Sequence, residues 1–355
     1  MSQPNLPTII IGAGLTGLTL AHHLQRAGKD FLLFEARNRT GGRILTSRTD
    51  NGGPLEMGAT WLGKKHTHLV HLLCELGIKT FEQVTGGRAV YEAIPSSPPQ
   101  IVQLPHNDEP SYRIAGGSDV LIGELQRKIS AGRIHLDEAV LSLREQPDHL
   151  EVTTTKDGYR ADKVVSTLPP HLFVTNLSVS PALPNQLLGV ARKTHTWMGE
   201  SIKVGLRYAT PFWRETGAPG GTIFSNVGPV TEMYDHTDVD NKHFALKGFL
   251  SGTYHSVSRV ERREMVLGQL RRYYGTVVKD HLAYEESIWR NDPHTFVAYE
   301  DRVLPHQHNG HPVFRKEYLN GRLMLAGSET AVSYPGYMDG AVQSALRVAG
   351  LLLAE

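Results

Sequence analysis

The stretch Thr8-Ile9-Ile10-Ile11-Gly12-Ala13-Gly14-Leu15-Thr16-Gly17 decides the fold of this chain. Its apolar, β-branched start predicts a strand that is buried in a parallel sheet. A helix is predicted next, because apolar side chains then recur on one face until Gly28 ends the pattern. Phe31–Phe34 predicts a second buried strand. Residues 8–34 therefore form a β–α–β unit.

Three glycines in this stretch have the spacing of a dinucleotide-binding turn. The first permits a tight turn, the second lets the backbone approach a pyrophosphate, and the third lets the helix pack on the strand. Glu35 follows the second strand, where a carboxylate would bind ribose hydroxyls and repel a 2′-phosphate. The alternative is a glycine-rich turn that binds no ligand. The predicted cofactor contacts of this unit are Gly12, Gly14, Leu15, Gly17, Glu35, Ala36 and Arg37.

A second glycine loop follows directly after the acid, in the sequence Asn38-Arg39-Thr40-Gly41-Gly42-Arg43. Gly42 and Arg43 can reach the same pyrophosphate, with a charge-assisted contact from the guanidinium. A nicotinamide-binding domain does not need this second loop, so the two loops together favour FAD over NAD. The alternative for this segment is an exposed turn with a solvated arginine.

The composition excludes several classes of protein. The chain has 355 residues, 40% hydrophobic and 21% charged, which is ordinary globular usage and indicates roughly two domains. Lys and Arg number 37 against 36 Asp and Glu, so we expect no nucleic-acid or membrane partner. Cys74 is the only cysteine, which excludes an intrachain disulfide or an iron–sulfur cluster. With no recognisable secretory signal and no apolar run long enough to span a bilayer, we expect a cytoplasmic protein.

The rest of the chain predicts two kinds of structure. Three strands at about 139–145, 149–155 and 160–167 predict a meander, and a strand at 323–326 precedes a helix at about 338–353. Further strands are predicted at 200–209 and 244–250, followed by a helix over 256–274 with Val260 facing inward. The proline-rich segment 82–114 shows no sustained period and is interpreted as a crossover. We expect one α/β domain that is interrupted by a more antiparallel one.

At this point the chain resembles the flavin-containing amine oxidase family, which includes monoamine and polyamine oxidases. The matches run in family order along almost the whole chain. After the segment Gly12 to Arg43 they are Leu55-Glu56-Met57-Gly58-Ala59-Thr60-Trp61, Ser201-Ile202-Lys203-Val204 with Pro211-Phe212-Trp213, Trp289-x-x-Asp292-Pro293 with Tyr299, Ala326-Gly327-Ser328-Glu329-Thr330, and Gly336-Tyr337-Met338-Asp339-Gly340-Ala341-Val342.

This resemblance implies a fold class and a division into domains. It implies an α/β fold in which a FAD-binding Rossmann-type domain carries an inserted, smaller substrate domain of antiparallel sheet and helix. The FAD-binding domain would take residues 1–80, 112–193 and 290–355, and the substrate domain 81–111 and 194–289. Because the segment 82–114 is short for the family, we expect an active site that is open or closed by a second subunit. A homo-oligomer is compatible with this expectation.

The resemblance also implies roles for single residues. Lys203 would lie over the reactive flavin nitrogen and hold a water, while Tyr337 and Tyr299 would form an aromatic cage for the amine. Ser328 and Glu329 would contact the ribityl–pyrophosphate part of the flavin. Met338 would begin a helix that points at the flavin, and Val140 would hold the adenine. Gly58, Ala59 and Thr60 complete the predicted cofactor contacts.

The implied function is oxidation of an amine by FAD, with hydride transfer from the carbon next to nitrogen, imine hydrolysis, and reoxidation by dioxygen to give hydrogen peroxide. Ala298 stands where some relatives attach the flavin through cysteine, so we predict noncovalent FAD. Two alternatives stay open: a FAD-dependent desaturase, dehydrogenase or isomerase of a non-amine substrate, and a FAD-binding protein without turnover. No metal site is predicted, although His66, His68 and His71 share their spacing with His306, His308 and His311.

Overall fold

The computed structural model of the chain describes residues 6–49 and 52–354. Within these ranges the chain forms seven α-helices and three sheets of four or more strands. The helices are α1 (Leu15–Arg26), α2 (Thr67–Glu75), α3 (Asp119–Arg127), α4 (Pro170–Asn176), α5 (Asn185–Arg192), α6 (Arg259–Tyr274) and α7 (Met338–Ala354). None of them is long and apolar enough to cross a bilayer, as far as residues 6–49 and 52–354 are concerned.

The first sheet is the parallel sheet that the glycine-rich stretch predicts. Its strands, in spatial order, are β20 (Glu317–Tyr318), β21 (Leu323–Leu325), β13 (Lys163–Ser166), β1 (Thr8–Ile11), β2 (Phe31–Phe34) and β9 (Ile134–His135). Neighbouring strands are parallel except for the edge strand β20. Strands from three distant parts of the chain therefore meet in one Rossmann-type sheet.

Both faces of this sheet are covered. On one face, Ile10, Leu33 and Val165 pack against α1, α2, α3 and α7. On the other face, Ile9 and Val164 pack against α4, α5 and a small second sheet. The central strands are buried on both sides, which explains why they read as continuous apolar runs rather than as alternating ones.

The small second sheet corrects the predicted three-stranded meander. Its strands, in spatial order, are β12 (Gly158–Ala161), β11 (Leu150–Thr154), β10 (Val140–Glu145) and β14 (Ser178–Ser180). The predicted third strand, 160–167, is wrong as one strand, because the chain leaves β12 at Ala161 and enters the main sheet as β13 at Lys163. Only Asp162 separates the two strands, so no turn signal marks the change of sheet.

The third sheet is largely antiparallel. Its strands, in spatial order, are β19 (Ala283–Ile288), β15 (Ile202–Tyr208), β18 (Phe244–Leu250), β17 (Val230–Asp235), β16 (Thr222–Ser225), β6 (Arg88–Glu92) and β7 (Gln100–Gln103). Two hairpin-like pairs stand apart: β3 (Thr46–Thr49) with β4 (Gly52–Glu56), and β5 (Thr80–Glu82) with β8 (Tyr112–Ile114).

The segment 82–114, which the sequence predicts to be a crossover, contains the regular strands β6 and β7. Strands β6 and β7 extend the third sheet through a parallel pairing of β6 with β16. The segment shows no sustained period because each strand has only four or five residues, and β6 takes its parallel partner β16 from more than a hundred residues away. The boundaries of the substrate domain at 81–111 and 194–289 stay a prediction.

Helix α6 packs against this third sheet through Val266 and Leu270. Its start is set by Ser258 and Glu261, which form a reciprocal capping box. The prediction that Val260 faces inward is wrong, since that side chain lies in the first turn and is 71% exposed.

Candidate active site

A cavity of about 520 Å³ lies between the main sheet and the third sheet. It opens at the carboxyl ends of β1 and β2, where open α/β sheets bind their ligands. Residues from the third sheet, including Lys203 and Phe249, form its opposite wall. The predicted site residues that line it are Gly12, Gly14, Leu15, Glu35, Arg37, Gly42, Arg43, Gly58, Ala59, Thr60, Lys203, Ser328, Tyr337 and Met338. Those that do not are Gly17, Ala36, Val140, Tyr299 and Glu329.

The two glycine loops lie against each other at one end of the cavity. The Gly41 amide donates to the Ala13 carbonyl at 2.8 Å. A Cβ on Gly42 would meet the Gly14 Cα at 3.3 Å, and a Cβ on Gly17 would overlap the Gly12 carbonyl. Larger side chains would fill the space where a diphosphate approaches the backbone. These glycines therefore fit a dinucleotide, although Gly17 acts through packing and not through the cavity wall.

Glu35 is buried beside these loops. One of its carboxylate oxygens accepts from the Ala13 amide at 2.9 Å, and the other accepts from the Arg37 amide at 3.0 Å. The Arg37 guanidinium donates at 2.9 Å to Asp292, which lies shortly after the end of β19. Glu35 thus faces the cavity with backbone partners that fix its orientation, as a ribose-binding carboxylate requires.

Arg43 pairs with Glu329 across the cavity end. The Arg43 guanidinium contacts the Glu329 carboxylate at 2.5 and 2.9 Å, and it also donates to the Ser328 hydroxyl. Burial opposes ionisation of Glu329, but the charge and hydrogen bonds of Arg43 outweigh it and lower the pKa of that carboxyl. Glu329 is fully buried, does not line the cavity, and holds the Arg43 guanidinium in place. Its contact with the flavin stays a prediction.

Lys203 reaches the cavity from β15 and has almost no exposed surface. Its amino group donates to the Gly58 carbonyl and lies 5.0 Å from the centre of the Phe249 ring. Burial lowers the pKa of Lys203 to about 8, against the opposing charge of Glu56. An amine with this pKa exists in both protonation states near neutral pH, so it can hold or activate a water.

A second buried lysine, Lys247, lies behind Lys203 and was missed by the sequence reasoning. Its amino group donates to the Thr60 hydroxyl at 2.9 Å and lies 4.0 Å from the Trp61 ring. It does not line the cavity. A signal was present, since Lys247 interrupts the apolar strand Phe-Ala-Leu-Lys-Gly-Phe-Leu at a position that alternation places inside.

The aromatic wall of the cavity differs from the predicted cage. Tyr337 lines the cavity, and its ring centre lies 5.7 Å from that of Trp197. Trp197 stacks at 3.8 Å on His306. Tyr299 lies outside the cavity lining: its hydroxyl accepts from the Thr196 amide at 2.8 Å, and its ring packs at 4.4 Å on His171.

The geometry therefore does not support Tyr299 as a wall of the amine cage, because its hydroxyl already bonds the Thr196 amide and its ring already packs on His171. Trp197 escaped the sequence reasoning since it lies in a loop before β15 and outside every motif.

Val140 also lies away from the cavity. It begins β10, pairs with Thr154 and packs in the core between the main sheet and the small sheet. The predicted adenine contact at this position is not part of the cavity wall. The histidine clusters have separate partners, with His68 against Asp339 and His66 accepting from the Gly63 amide. Across residues 6–49 and 52–354, no group of three or more His, Cys, Asp or Glu side chains is placed to hold a metal.

The sequence matches the family model of flavin-containing amine oxidoreductases over residues 15–96 and 95–353. The chain belongs to this family. The cofactor is FAD, and it is bound noncovalently. The only cysteine, Cys74, is exposed on α2 and does not line the cavity.

Individual relatives have low sequence identity to the chain but align with it over almost the whole length of both. The chain is 23% identical to the probable flavin-containing monoamine oxidase A of Dictyostelium discoideum, covering 96% of each sequence. It is 24% identical to the putrescine oxidase of Kocuria rosea, covering 94% of this chain and 92% of that protein. The first of these alignments spans 448 positions against 355 residues here, so at least 93 positions have no counterpart in this chain.

The solved structures agree on the fold. A putrescine oxidase bound to putrescine superposes with a TM-score of 0.85 at 23% identity, covering 99% of this chain and all of that chain. The cyclohexylamine oxidase of Brevibacterium oxydans IH-35A gives a TM-score of 0.85 at 19% identity, covering 99% of each chain. The chain is thus a short member of the family that shares its fold.

Proposed function

We propose that this chain oxidises a small amine to an imine, which water then hydrolyses. The observation that carries the proposal is that a buried amino group, an aromatic wall and the two glycine loops all face one cavity. FAD held by the two glycine loops would supply a hydride acceptor for the carbon next to the amine nitrogen, and two electrons, taken up with two protons by dioxygen, would give hydrogen peroxide.

Tyr337 and Trp197 are the residues that would hold the amine. Their rings exclude water from one side of the cavity and offer apolar faces to the substrate. Hydride loss requires a free nitrogen lone pair, so a dry aromatic wall favours the reactive neutral amine over the ammonium form. The wall also limits how the carbon–hydrogen bond can point, which supplies orientation. We assign the second wall to Trp197 in place of Tyr299.

Lys203 would hold a water in the same cavity. Its amino group is fixed by the Gly58 carbonyl and screened from solvent, and its pKa of about 8 leaves it able to give or take a proton. Such a water is suited to the hydrolysis of the imine. The first turn of α7, which begins at Met338 on the cavity wall, would favour negative charge near that end.

The test is anaerobic mixing of the FAD-loaded protein with a panel of alkyl, aryl and diamines, followed by the flavin absorbance. We expect at least one amine to bleach the flavin, and the matched alcohols to leave it unchanged. If dithionite bleaches the flavin but no amine does, the proposal is wrong. Bleaching by a non-amine alone would favour the desaturase or dehydrogenase alternative, and failure of the reduced protein to reoxidise in air would exclude an oxidase.

A further inference from the structure

The wall residue Trp197 lies between α5 and β15, in a segment that forms neither helix nor strand. Two distant side chains hold its backbone. The Trp197 amide donates to a carboxylate oxygen of Glu329 at 3.2 Å, and the Trp197 carbonyl accepts from the Arg43 guanidinium at 3.0 Å. Arg43 ends the second glycine loop, and Glu329 lies between β21 and α7. The place of this wall is therefore set by residues beside the cofactor loops.

The terminal N–H groups of Arg43 are all used by the protein. Nη1 donates to the Trp197 carbonyl and to one oxygen of Glu329, while Nη2 donates to the Ser328 hydroxyl and to the other oxygen of Glu329. A guanidinium has five N–H groups, so the Nε–H is the one that remains for a further partner. The positive charge of Arg43 is also balanced by the carboxylate of Glu329. A diphosphate at the glycine loops would thus rely mainly on backbone amides and the start of α1.

The turn that carries Glu329 also holds the other wall. The Ser328 carbonyl accepts from the Gly336 amide at 3.0 Å, directly before Tyr337. A Cβ on Gly336 would meet the Cβ of Trp197 at 2.7 Å, so the two segments pack closely. Both aromatic rings of the wall are therefore positioned from one short turn, Trp197 through the side chain of Glu329 and Tyr337 through the backbone of Ser328.

We propose that Arg43 and Glu329 are positioning residues of the aromatic wall: their ion pair fixes the Trp197 backbone beside Gly336 and adds little to the affinity for FAD. Without the pair, the Trp197 amide and carbonyl lose their partners, and the ring loses its fixed distance from Tyr337. The use of this wall in amine binding rests on the proposed function, whereas the positioning of Trp197 does not.

The test replaces the whole pair, in Arg43→Met/Glu329→Met. Removing both charges leaves the net charge of the site unchanged and leaves no buried charge unpaired, a change that folded proteins often tolerate. The matched control is Arg262→Met/Glu286→Met. This buried pair joins α6 to β19, with a guanidinium–carboxylate distance of 2.6 Å, and neither residue lines the cavity.

The first measurement is ¹⁹F NMR of the FAD-loaded protein labelled with 5-fluorotryptophan. The chain has four tryptophans, and the Trp197 signal is assigned by its loss in Trp197→Phe. We expect this signal to shift and broaden in Arg43→Met/Glu329→Met and to stay in place in the control variant. The signal of Trp213, which is buried in the core of the third sheet, should not move in either variant.

The second measurement is the dissociation constant of FAD, obtained from the flavin fluorescence that appears when the loaded protein is diluted. We expect it to stay within about threefold of the wild type in Arg43→Met/Glu329→Met, because the net charge that faces the diphosphate is unchanged. If Arg43 were instead a main anchor of the diphosphate, the constant would rise at least about tenfold, as for the loss of a hydrogen bond between charged groups.

An unmoved Trp197 signal, the same movement in the control variant, or a tenfold weaker binding of FAD would each overturn the proposal. If the double variant does not fold, Arg43→Lys decides. Its ammonium keeps a charge beside Glu329 but lacks the planar fork that reaches the Trp197 carbonyl at the same time. We expect the Trp197 signal to move there too, and an unmoved signal would overturn the proposal. Neither measurement needs an amine, so failure of every amine to bleach the flavin would count against the proposed function alone.

Discussion

Replacing Lys203 with methionine should stabilise the folded protein, and by more at neutral than at alkaline pH. The pKa of Lys203 is about 8 in the folded state, against 10.5 as its ordinary value. The folded protein therefore binds fewer protons than the unfolded chain between these values, so the contribution of this residue to stability falls as the pH falls from 10.5 to 8. Below pH 8 the folded and unfolded states both bind this proton, so the destabilisation of the fold by Lys203 no longer changes with pH.

The size of the effect follows from the two pKa values. At pH 7 the lysine destabilises the fold by about 3.3 kcal/mol and at pH 10 by about 0.8 kcal/mol, by the linkage relation with 1.36 kcal/mol per pKa unit. Lys203→Met removes this cost and the contact with Gly58. Because the lost packing is the same at both pH values, the difference reports the titration of Lys203 together with its effect on Lys247, whose pKa the charge of Lys203 also lowers.

The assay is urea unfolding of the wild type and Lys203→Met at pH 7 and pH 10, with the same saturating FAD throughout. We expect the variant to gain about 2.5 kcal/mol more relative to wild type at pH 7 than at pH 10. Lys279→Met serves as the control and should show no such difference. An equal change in unfolding free energy at the two pH values would refute the claim that burial depresses the pKa of Lys203.

Three further predictions address other parts of the site. Arg43→Met leaves Glu329 buried without its partner, so the free energy of unfolding in urea should fall by about 3–5 kcal/mol, and adding Glu329→Gln should recover part of the loss. Trp197→Ala and Tyr337→Ala should each slow anaerobic flavin reduction by the best amine roughly 10-fold. Tyr299→Phe alters a side chain outside the cavity and should slow it less. A larger effect of Tyr299→Phe than of Trp197→Ala would restore Tyr299 as a wall of the amine-binding cage. Gly17→Ala should abolish copurification of flavin, since a Cβ there overlaps the Gly12 carbonyl; full flavin content would contradict the packing argument.

Local patterns were sufficient to predict the parallel sheet and the loops that bind the cofactor. The strand Thr8–Ile11, the three glycines and Glu35 lie within 28 residues, and each has a single physical reason that holds without tertiary context. The family match of the chain confirms the cofactor that these residues predicted.

Features that depend on distant contacts could not be predicted in this way. Tyr299 fell outside the cavity because the Thr196 backbone and His171 engage it, and neither partner is near it in sequence. Lys247 lies beside Lys203 only through the pairing of β15 with β18. The short strand β6 was not predicted, since its place in the sheet depends on its distant parallel partner β16. The third sheet is built largely from such contacts, which is why sequence patterns described it less well than the main sheet.

The most direct measurement of the central claim is the yield of products from one amine in air. The FAD-loaded protein is incubated with the amine that bleaches the flavin, and hydrogen peroxide and the carbonyl product are quantified from the same reaction. The account predicts one peroxide for each carbonyl formed, and a strong reduction of both in Lys203→Met. Peroxide without carbonyl, or no carbonyl at all from any amine, would contradict it.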